Sequence, residues 1–435
     1  MNYFIFILIL GFFSGSFSVA AETKLTFPIL EAPFNFENSY SYPSMRQSLN
    51  FSTDFYQGIH SAIETRYKDG SRFKRIFLDI GFDIFSTWIP LGSAWVHEEW
   101  HRAVMMNRDI NSFNDVYYFP ILKDSIAVSH VEDQNLIRLK KEHPADQVRM
   151  SAAGMEAQSE QNLLINKSHF FFDAPTFDVG VLWMNTVGNI GYLATCGSPA
   201  ADKSTDDQNI SDGGNLKKRD FTGLDCNGWV YDLFRPDEPY TARGTHPSGV
   251  GIDRYIGFSD LSDEEKSFLQ RQSFLSALSL IDPSLLQWDR FEGNLLGHKF
   301  EWNFNLKHYL TSFGYTVDAN LFYRDGGRKF LFQLHNGFNN VRYFPGLTAE
   351  WLDMPLPWPK YSLTSHVTLW PQPKGQRYDA TANTFTALIL ETLGYQWTTD
   401  KRFLLGFDAK TPGWIAGNVF LDKNFTLWTG FSLSI

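Results

Sequence analysis

The chain has 435 residues, a net charge of −10 at neutral pH and a pI near 5.6. This acidic balance, without a basic stripe along the sequence, argues against a nucleic-acid-binding protein. The length is sufficient for two or three domains with a substantial core. Aromatic residues make up 16% of the chain, which is high for a soluble enzyme and requires an explanation in the fold.

The first residues form an apolar run followed by small residues, a pattern typical of a secretory signal peptide over residues 1–20. Cleavage is expected after Ala20 or Ala21. No Lys or Arg precedes the apolar run, so an uncleaved membrane anchor is the alternative. The sequence therefore predicts an exported protein.

Residues 21–72 hold stretches rich in proline and aromatic side chains, and we expect an extended segment there, with a candidate helix around FYQGIHSAIETRY. Over residues 73–290 the apolar residues recur at helical spacing, and a Ser-x-x-Glu capping pattern opens the stretch SDEEKSFLQ. The sequence predicts a mainly α-helical domain over this second region.

Two pieces of the helical region, Ile76–Val96 and Phe170–Cys196, are long and apolar enough to raise the question of transmembrane helices. Asp79, Asp83 and Pro90 interrupt the first, and two aspartates and a proline interrupt the second. Charged side chains are costly at the centre of a bilayer. We therefore expect buried or membrane-surface helices, with a break near Pro90.

Residues 97–101 read H-E-E-W-H, which places His97 and His101 four residues apart, with Glu98 between them. On an α-helix such histidines lie on one face, so both imidazoles can bind one metal ion while Glu98 lies beside an adjoining water. Zinc requires neutral nitrogen ligands and a position for water, and a neighbouring carboxylate can move the proton of that water. The motif predicts a zinc site; the structural alternative is a pair of hydrogen-bonded core histidines.

This H-E-x-x-H stretch resembles the zincin metallopeptidases, and the resemblance implies zinc ligation by His97 and His101 with Glu98 as general base. No His-x-x-Gly-x-x-His continuation follows, so a metzincin is excluded. A gluzincin-like site takes a downstream glutamate as its third ligand, and Glu156 in SAAGMEAQSEQN is the expected residue, because small residues before it allow close helix approach. The interval is similar to that of membrane-associated CAAX-type gluzincins.

Other residues compete for the third ligand position. Glu160 lies one turn after Glu156 and can bind the metal or orient a histidine. Further candidates are His143, His130 and Asp146. Asp79 and Asp83 are alternatives for orienting the histidines through their second ring nitrogens, although helix capping is an equal explanation.

The only two cysteines, Cys196 and Cys226, bracket a polar segment rich in Gly and Asp that is typical of an exposed loop. In an oxidising compartment they are expected to pair as a disulfide, with two free thiols as the alternative. Zinc binding through cysteine is not expected, because thiolate sites usually contain closely spaced Cys-x-x-Cys pairs.

Over residues 291–435 the apolar period changes to two, as in HKFEWNFNLKHYL, where apolar and polar residues alternate. A DGG turn follows the next run. Further strands are expected at FGYTVDANLFY, RKFLFQLH, YSLTSHVTLW, TFTALILETLGYQW, KRFLLGFDA, WIAGNVFL and NFTLWTGFSLSI. The sequence thus predicts about eight strands.

A soluble antiparallel sandwich and a transmembrane β-barrel both produce this pattern. The strand length, the aromatic residues near strand ends and a final strand at the end of the sequence favour the barrel. The last residues, WTGFSLSI, are similar to the C-terminal signal of bacterial outer-membrane proteins, with Gly430, Leu433 and Ile435 at matching positions. The predicted fold class is α+β: a mainly α-helical zincin-like domain followed by a C-terminal antiparallel β-barrel.

The function expected from these features is an exported zinc-dependent metallohydrolase, a peptidase tethered to the bacterial outer membrane, with Zn²⁺ as cofactor and lipid around the barrel. The alternative is a non-enzymatic outer-membrane protein whose helical domain plugs or supports the barrel. A third option, a lipid- or glycan-modifying barrel enzyme, would use the strand histidines His298, His308, His335 and His366. No matching Ser and Asp constellation accompanies them.

Overall fold

The computed structural model of the chain describes residues 23–34, 43–68, 70–117, 127–172 and 178–435. The predicted signal peptide over residues 1–20 lies outside these residues. Nine α-helices occur in the described part of the chain, and all precede the C-terminal strands. They are α1 (Met45–Arg66), α2 (Arg72–Ser86), α3 (Ser93–Met106), α4 (Asp133–Glu142), α5 (Pro144–Phe172), α6 (Val179–Cys196), α7 (Ala200–Asp212), α8 (Asp225–Phe234) and α9 (Asp263–Ser276).

The described strands form one large and one small antiparallel sheet. They are β1 (Lys24–Pro33), β2 (Phe113–Asn114), β3 (Val128–Ser129), β4 (Phe291–Leu295), β5 (His298–Thr311), β6 (Gly314–Asp325), β7 (Arg328–Phe338), β8 (Tyr343–Pro355), β9 (Tyr361–Pro373), β10 (Asn383–Gln396), β11 (Lys401–Lys410) and β12 (Asn424–Ser434). The large sheet has ten strands in the order β1-β12-β11-β10-β9-β8-β7-β6-β5-β4, and β2 pairs with β3. Strands β1 and β4 are the edges of the large sheet, which is not closed. The α+β organisation is confirmed.

In the segment over residues 21–72 the candidate helix around FYQGIHSAIETRY is confirmed within the longer helix α1, and the extended part forms strand β1. Strand β1 belongs to the large sheet and pairs with β12, so that Lys24 lies opposite Ser434. Helix α1 begins at a capping box formed by Ser44 and Gln47 and runs for 22 residues. The helical part of the molecule therefore begins at α1 instead of at residue 73.

The ten strands exceed the predicted number because β1, β4 and β8 were not expected. Strand β8 contains Pro345 and Gly346, which weaken the sequence pattern of a strand. The stretch WIAGNVFL, predicted as a strand, forms only an isolated bridge between Ile415 and Asn418. Its aromatic and aliphatic side chains are buried against the core instead of pairing in the sheet.

The two faces of the large sheet have an inverted polarity. Polar side chains on one face are buried, including Asn305, Asp318, Thr348, Thr368, Thr386 and Asp408. Apolar side chains on the other face are exposed, including Leu334 (48%), Leu347 (51%), Leu369 (47%), Phe385 (58%) and Leu405 (46%). A soluble sheet normally buries its apolar face, so the outer surface of this sheet is unusual for contact with water.

The sheet is strongly curled towards its polar face. In a flat sheet, five strand spacings of about 4.8 Å would separate β1 from β8 by roughly 24 Å. Lys24 Nζ on β1 nevertheless lies 3.2 Å from Asp353 Oδ2 on β8, and Arg402 on β11 donates to the same carboxylate at 2.5 Å. Side chains from strands far apart in the sheet order thus meet on one side.

Helix α5 packs against this polar face. Lys167 pairs with Glu350 on β8 at 2.8 Å, and the Tyr309 hydroxyl on β5 donates to Glu160 at 2.7 Å. The contact between the helices and the sheet is therefore built from hydrogen bonds and ion pairs as well as apolar packing.

Helix α5 also crosses α3, and a hydrophobic cluster lies at this crossing beside the H-E-E-W-H motif. Val96, Trp100 and Val104 of α3 are fully buried and lie in one cluster with Ala153 and Ala157 of α5. Small side chains on α5 allow the two helix axes to approach closely. The predicted helices over both stretches are confirmed.

The predicted break near Pro90 is confirmed, because α2 ends at Ser86 and α3 begins at Ser93. No helix within the described ranges is both long enough and apolar enough to cross a membrane. Cys196 and Cys226 form a disulfide, as predicted. The segment between them is not a loop throughout, because it contains the polar helix α7.

Candidate metal centre

His97 and His101 lie one turn apart on α3 and face α5 and α8. Their ring centroids are 4.9 Å apart. His101 is fully buried, whereas the side chain of His97 is 13% exposed. The apolar side of α3 fixes the helix, so the two imidazoles project from a rigid element, as their four-residue spacing predicts.

Asp225, the first residue of α8, completes a group of three potential metal ligands. Its Oδ2 atom lies 2.9 Å from His97 Nε2 and 3.3 Å from His101 Nε2. One ligand atom from each of the three residues lies within 4.8 Å of the others. Tetrahedral zinc with bonds of about 2.0 Å separates its ligand atoms by roughly 3.3 Å, so two imidazoles and one carboxylate at these distances fit the ion.

The second nitrogen of His101 determines which ring atom can bind a metal. Nδ1–H donates to the backbone carbonyl of Met150 on α5 at 2.5 Å. This bond leaves the lone pair of Nε2 directed at the centre, where the buried atom has no hydrogen-bond partner in the described structure. Ligating histidines usually make such a bond through the other nitrogen. An orphaned buried nitrogen beside a carboxylate is the arrangement that a cation would satisfy.

Gly154 of α5 forms one wall of the centre. A Cβ atom at this position would lie 2.2 Å from His97 Nε2 and 2.4 Å from His101 Nε2. Any larger residue would therefore occupy the space of the imidazoles. The small residues of α5 do permit close approach to the histidine helix, as the sequence predicts. Gly154 makes this approach at the imidazole nitrogens of His97 and His101.

Glu98 is half-buried, and its carboxylate accepts no hydrogen bond from the described residues. Burial raises the pKa of Glu98 well above its usual value, the nearby Asp225 and Asp220 raise it further, and His97 opposes the shift. Glu99 is engaged instead, because Asn114 donates to one oxygen at 2.9 Å and Arg102 to the other at 2.7 Å. The two adjacent glutamates therefore differ: Glu99 is hydrogen-bonded to Asn114 and Arg102, whereas Glu98 makes no hydrogen bond with the described residues.

The start of α8 is fixed around Asp225. Its backbone N–H donates to the Tyr192 hydroxyl at 2.9 Å, and the Cys196–Cys226 disulfide joins the next residue to the end of α6. Burial acts to raise the pKa of Asp225, but both histidines outweigh burial and hold it below the usual range. The carboxylate at the centre is therefore the charged form.

Glu156, the third ligand expected from the gluzincin resemblance, is not brought to the histidines. Its Oε1 accepts from Arg149 at 2.8 Å and from the Gly417 N–H at 3.0 Å, and Oε2 accepts from Trp414 at 3.3 Å. Residues two apart on a helix point about 200° apart, so when Gly154 faces the centre Glu156 faces away from it. Asp225 takes the place beside the histidines.

The other predicted candidates also lie outside the group of three. Glu160 binds Tyr309, Asp146 binds Arg108, His130 contacts Ser129, and His143 ends α4. Sequence reasoning missed Asp225, which follows the segment predicted to be a loop. Its one sequence signal is its position next to Cys226.

Asp79 and Asp83 do not orient His97 or His101. Asp83 Oδ1 lies 2.7 Å from His60 Nε2, and the other nitrogen of His60 contacts Asp178. Asp79 is 3% exposed, and neither of its oxygens has a hydrogen-bond partner among the described residues. These groups form a separate buried cluster between α1, α2 and α6.

The chain matches no known protein family, no curated protein and no solved structure.

Proposed function

We propose that this protein is an exported zinc-dependent metallohydrolase that acts as a peptidase, with His97, His101 and Asp225 as the zinc ligands. The observation that carries the proposal is the convergence of these three ligand atoms from two helices on one point, where His101 Nε2 is buried and has no hydrogen-bond partner among the described residues. Two imidazoles and one carboxylate form a common ligand set for catalytic zinc, which leaves a fourth position open.

The residues of the chain supply the proton transfers. Zinc, when bound, supplies Lewis acidity that polarises a carbonyl and brings the pKa of water close to neutrality. Glu98 lies next to ligand His97 in sequence and accepts no hydrogen bond from the described part of the chain, so its carboxylate is available to take a proton from water and deliver it to a leaving amine.

We further propose that the large sheet forms the wall of an outer-membrane β-barrel, with lipid around its apolar face. The exposed apolar side chains, the buried polar side chains and the strong curl all support this assignment. The high aromatic content that the sequence leaves unexplained is accounted for by such a lipid-facing surface. The barrel would hold the zinc centre at the membrane, where peptide or protein substrates reach it.

Elemental mass spectrometry of the purified protein tests the metal centre. We expect about one zinc per chain, and we expect that zinc to be lost in His97→Ala and Asp225→Asn. The near-isosteric Glu156→Gln variant is the matched control and should retain zinc. Loss of zinc from Glu156→Gln together with retention in Asp225→Asn would reverse the ligand assignment. Absence of zinc from the wild type after back-titration would refute the metal centre.

A second candidate function is a non-enzymatic outer-membrane protein in which the helical part fills the barrel. The polar contacts of α5 with the sheet, through Lys167–Glu350 and Glu160–Tyr309, favour this candidate. Its metal would be structural and closed by a fourth protein ligand. Cobalt substitution separates the two functions, because an added hydroxamate changes the visible spectrum of an open centre and leaves that of a closed centre unchanged.

A further inference from the structure

Helix α2 has its polarity inverted. Phe73, Phe77, Ile84 and Phe85 are 73%, 68%, 58% and 70% exposed, and Trp88, just after the helix, is 44% exposed. Phe73, Phe77 and Ile84 are spaced by four and seven residues, so they share one side of the helix. A helix of a soluble protein turns such a side towards its core.

The opposite side of α2 turns its acidic residues inward. Asp79 and Asp83 are 3% and 1% exposed, and Asp83 pairs with His60 of α1. Phe82 is the aromatic residue of this side, and it packs on Tyr56 of α1. The buried ion pair and the inward aromatic fix the rotation of α2, so the exposure of its other aromatic residues is imposed by the fold.

The turn that precedes α2 is surrounded by basic side chains. Arg66, Lys68 and Lys74 are exposed around the turn that joins α1 to α2, although the protein as a whole is acidic. The one described acidic group beside them, Glu64, is bound by Arg75 at 3.1 Å. The aromatic side of the helix thus begins next to a cluster of positive charge.

We propose that α2 lies on a lipid bilayer. Its aromatic side would lie at the boundary of the hydrocarbon region, and the basic residues around the turn before it would contact anionic headgroups. An apolar side next to Lys and Arg is the composition of helices that bind in the membrane interface. A parallel pairing of two copies through this side is disfavoured, because it would bring the two basic clusters together. The proposal does not depend on zinc, and it extends membrane contact from the sheet to the helical part.

Depth-dependent quenching in vesicles tests this placement. The only two cysteines are joined in a disulfide, so an environment-sensitive dye can be attached to one introduced thiol in the full chain. The three variants are Phe77→Cys on α2, Leu334→Cys on the outer face of the sheet, and Ile210→Cys on the polar helix α7, where the side chain is 80% exposed. Each is reconstituted into vesicles of phosphatidylethanolamine and phosphatidylglycerol with brominated acyl chains.

We expect the dye at position 77 to be quenched by the brominated chains and the dye at position 210 to be unaffected. Quenching at position 334 without quenching at position 77 would overturn the proposal while leaving the barrel in the bilayer. Quenching at neither position would overturn both. A dye at position 77 that is protected from aqueous iodide but not quenched by lipid would indicate a protein partner and would also overturn the proposal.

The contribution of charge is tested separately. With Lys68→Glu and Lys74→Glu combined, quenching at position 77 should lose its preference for vesicles with phosphatidylglycerol over vesicles of neutral phosphatidylcholine. Lys203→Glu, at an exposed lysine of α7, is the control and should keep that preference. An unchanged preference in the double variant would exclude the basic cluster as the headgroup contact.

Discussion

Gly154→Ala is a sensitive test of the centre, because it removes no ligand. In an ordinary helix, replacing glycine by alanine raises stability by about 1 kcal/mol. Here the new methyl group would lie 2.2 Å from His97 Nε2 and 2.4 Å from His101 Nε2, far inside normal contact distance. Overpacking of this kind costs about 1–3 kcal/mol, so we expect a net loss of stability of roughly 0–2 kcal/mol.

The larger effect should be on the affinity of the protein for zinc. The imidazoles have to move away from the methyl group, and displacement of ligand-orienting contacts typically lowers metal affinity by about 10–100-fold, or roughly 1.4–2.7 kcal/mol. Competition with a chromophoric chelator measures the affinity, and thermal unfolding with and without zinc measures the linked stability.

Gly188→Ala on α6 is the matched control for this change. A Cβ atom there meets none of the described atoms within 4 Å, so the substitution should be neutral or stabilising and should leave zinc binding unchanged. Wild-type zinc affinity in Gly154→Ala, with a gain in stability like that of the control, would refute the placement of the metal beside Gly154, between the histidines of α3 and Asp225 of α8.

Three further outcomes are expected. Glu98→Gln should lower the kcat of peptide hydrolysis about 10²–10⁴-fold with zinc retained. Glu99→Gln should instead lower stability by about 1–3 kcal/mol and leave kcat nearly unchanged. Equal effects of the two variants on peptide hydrolysis would contradict these roles. Replacing Cys196 and Cys226 by serine should destabilise the fold by roughly 3–4 kcal/mol in chemical unfolding and weaken zinc binding, because the disulfide fixes the start of α8. Burial raises the pKa of Asp79 from 3.8 to about 7, so the folded state holds a proton that the unfolded state releases. Thermal stability should therefore fall as the pH rises from about 4 to 7. Asp79→Asn should flatten this pH profile, and an unchanged slope would exclude Asp79 as its source.

Local patterns in the sequence predict much of the centre. The four-residue spacing predicts that His97 and His101 share a face, and the small residues around Gly154 predict the close crossing of α5. Both features arise within single helices, where 3.6-residue periodicity determines direction. The rotation of α5 about its own axis is not local, and this rotation turns Glu156 towards Trp414 and Gly417 and away from the histidines.

Asp225 could not be predicted in the same way. Its position depends on the disulfide, on the contact with Tyr192 and on the packing of α8, all of which join segments distant in sequence. Strand β1 was missed for a similar reason, because its partner β12 lies at the other end of the described chain. The strands from β5 to β7, which are joined by tight turns, follow the period of two and were predicted.

The pairing of β1 with β12 also determines the order of assembly. Lys24 finds its partner, Ser434, only after every intervening helix and strand has been made, so one edge of the sheet cannot be capped during synthesis. Contacts of such large sequence separation form slowly, and an uncapped strand edge invites pairing with another chain. A truncation that removes β12 should therefore leave β1 without its partner and expose β11 as an aggregation-prone edge.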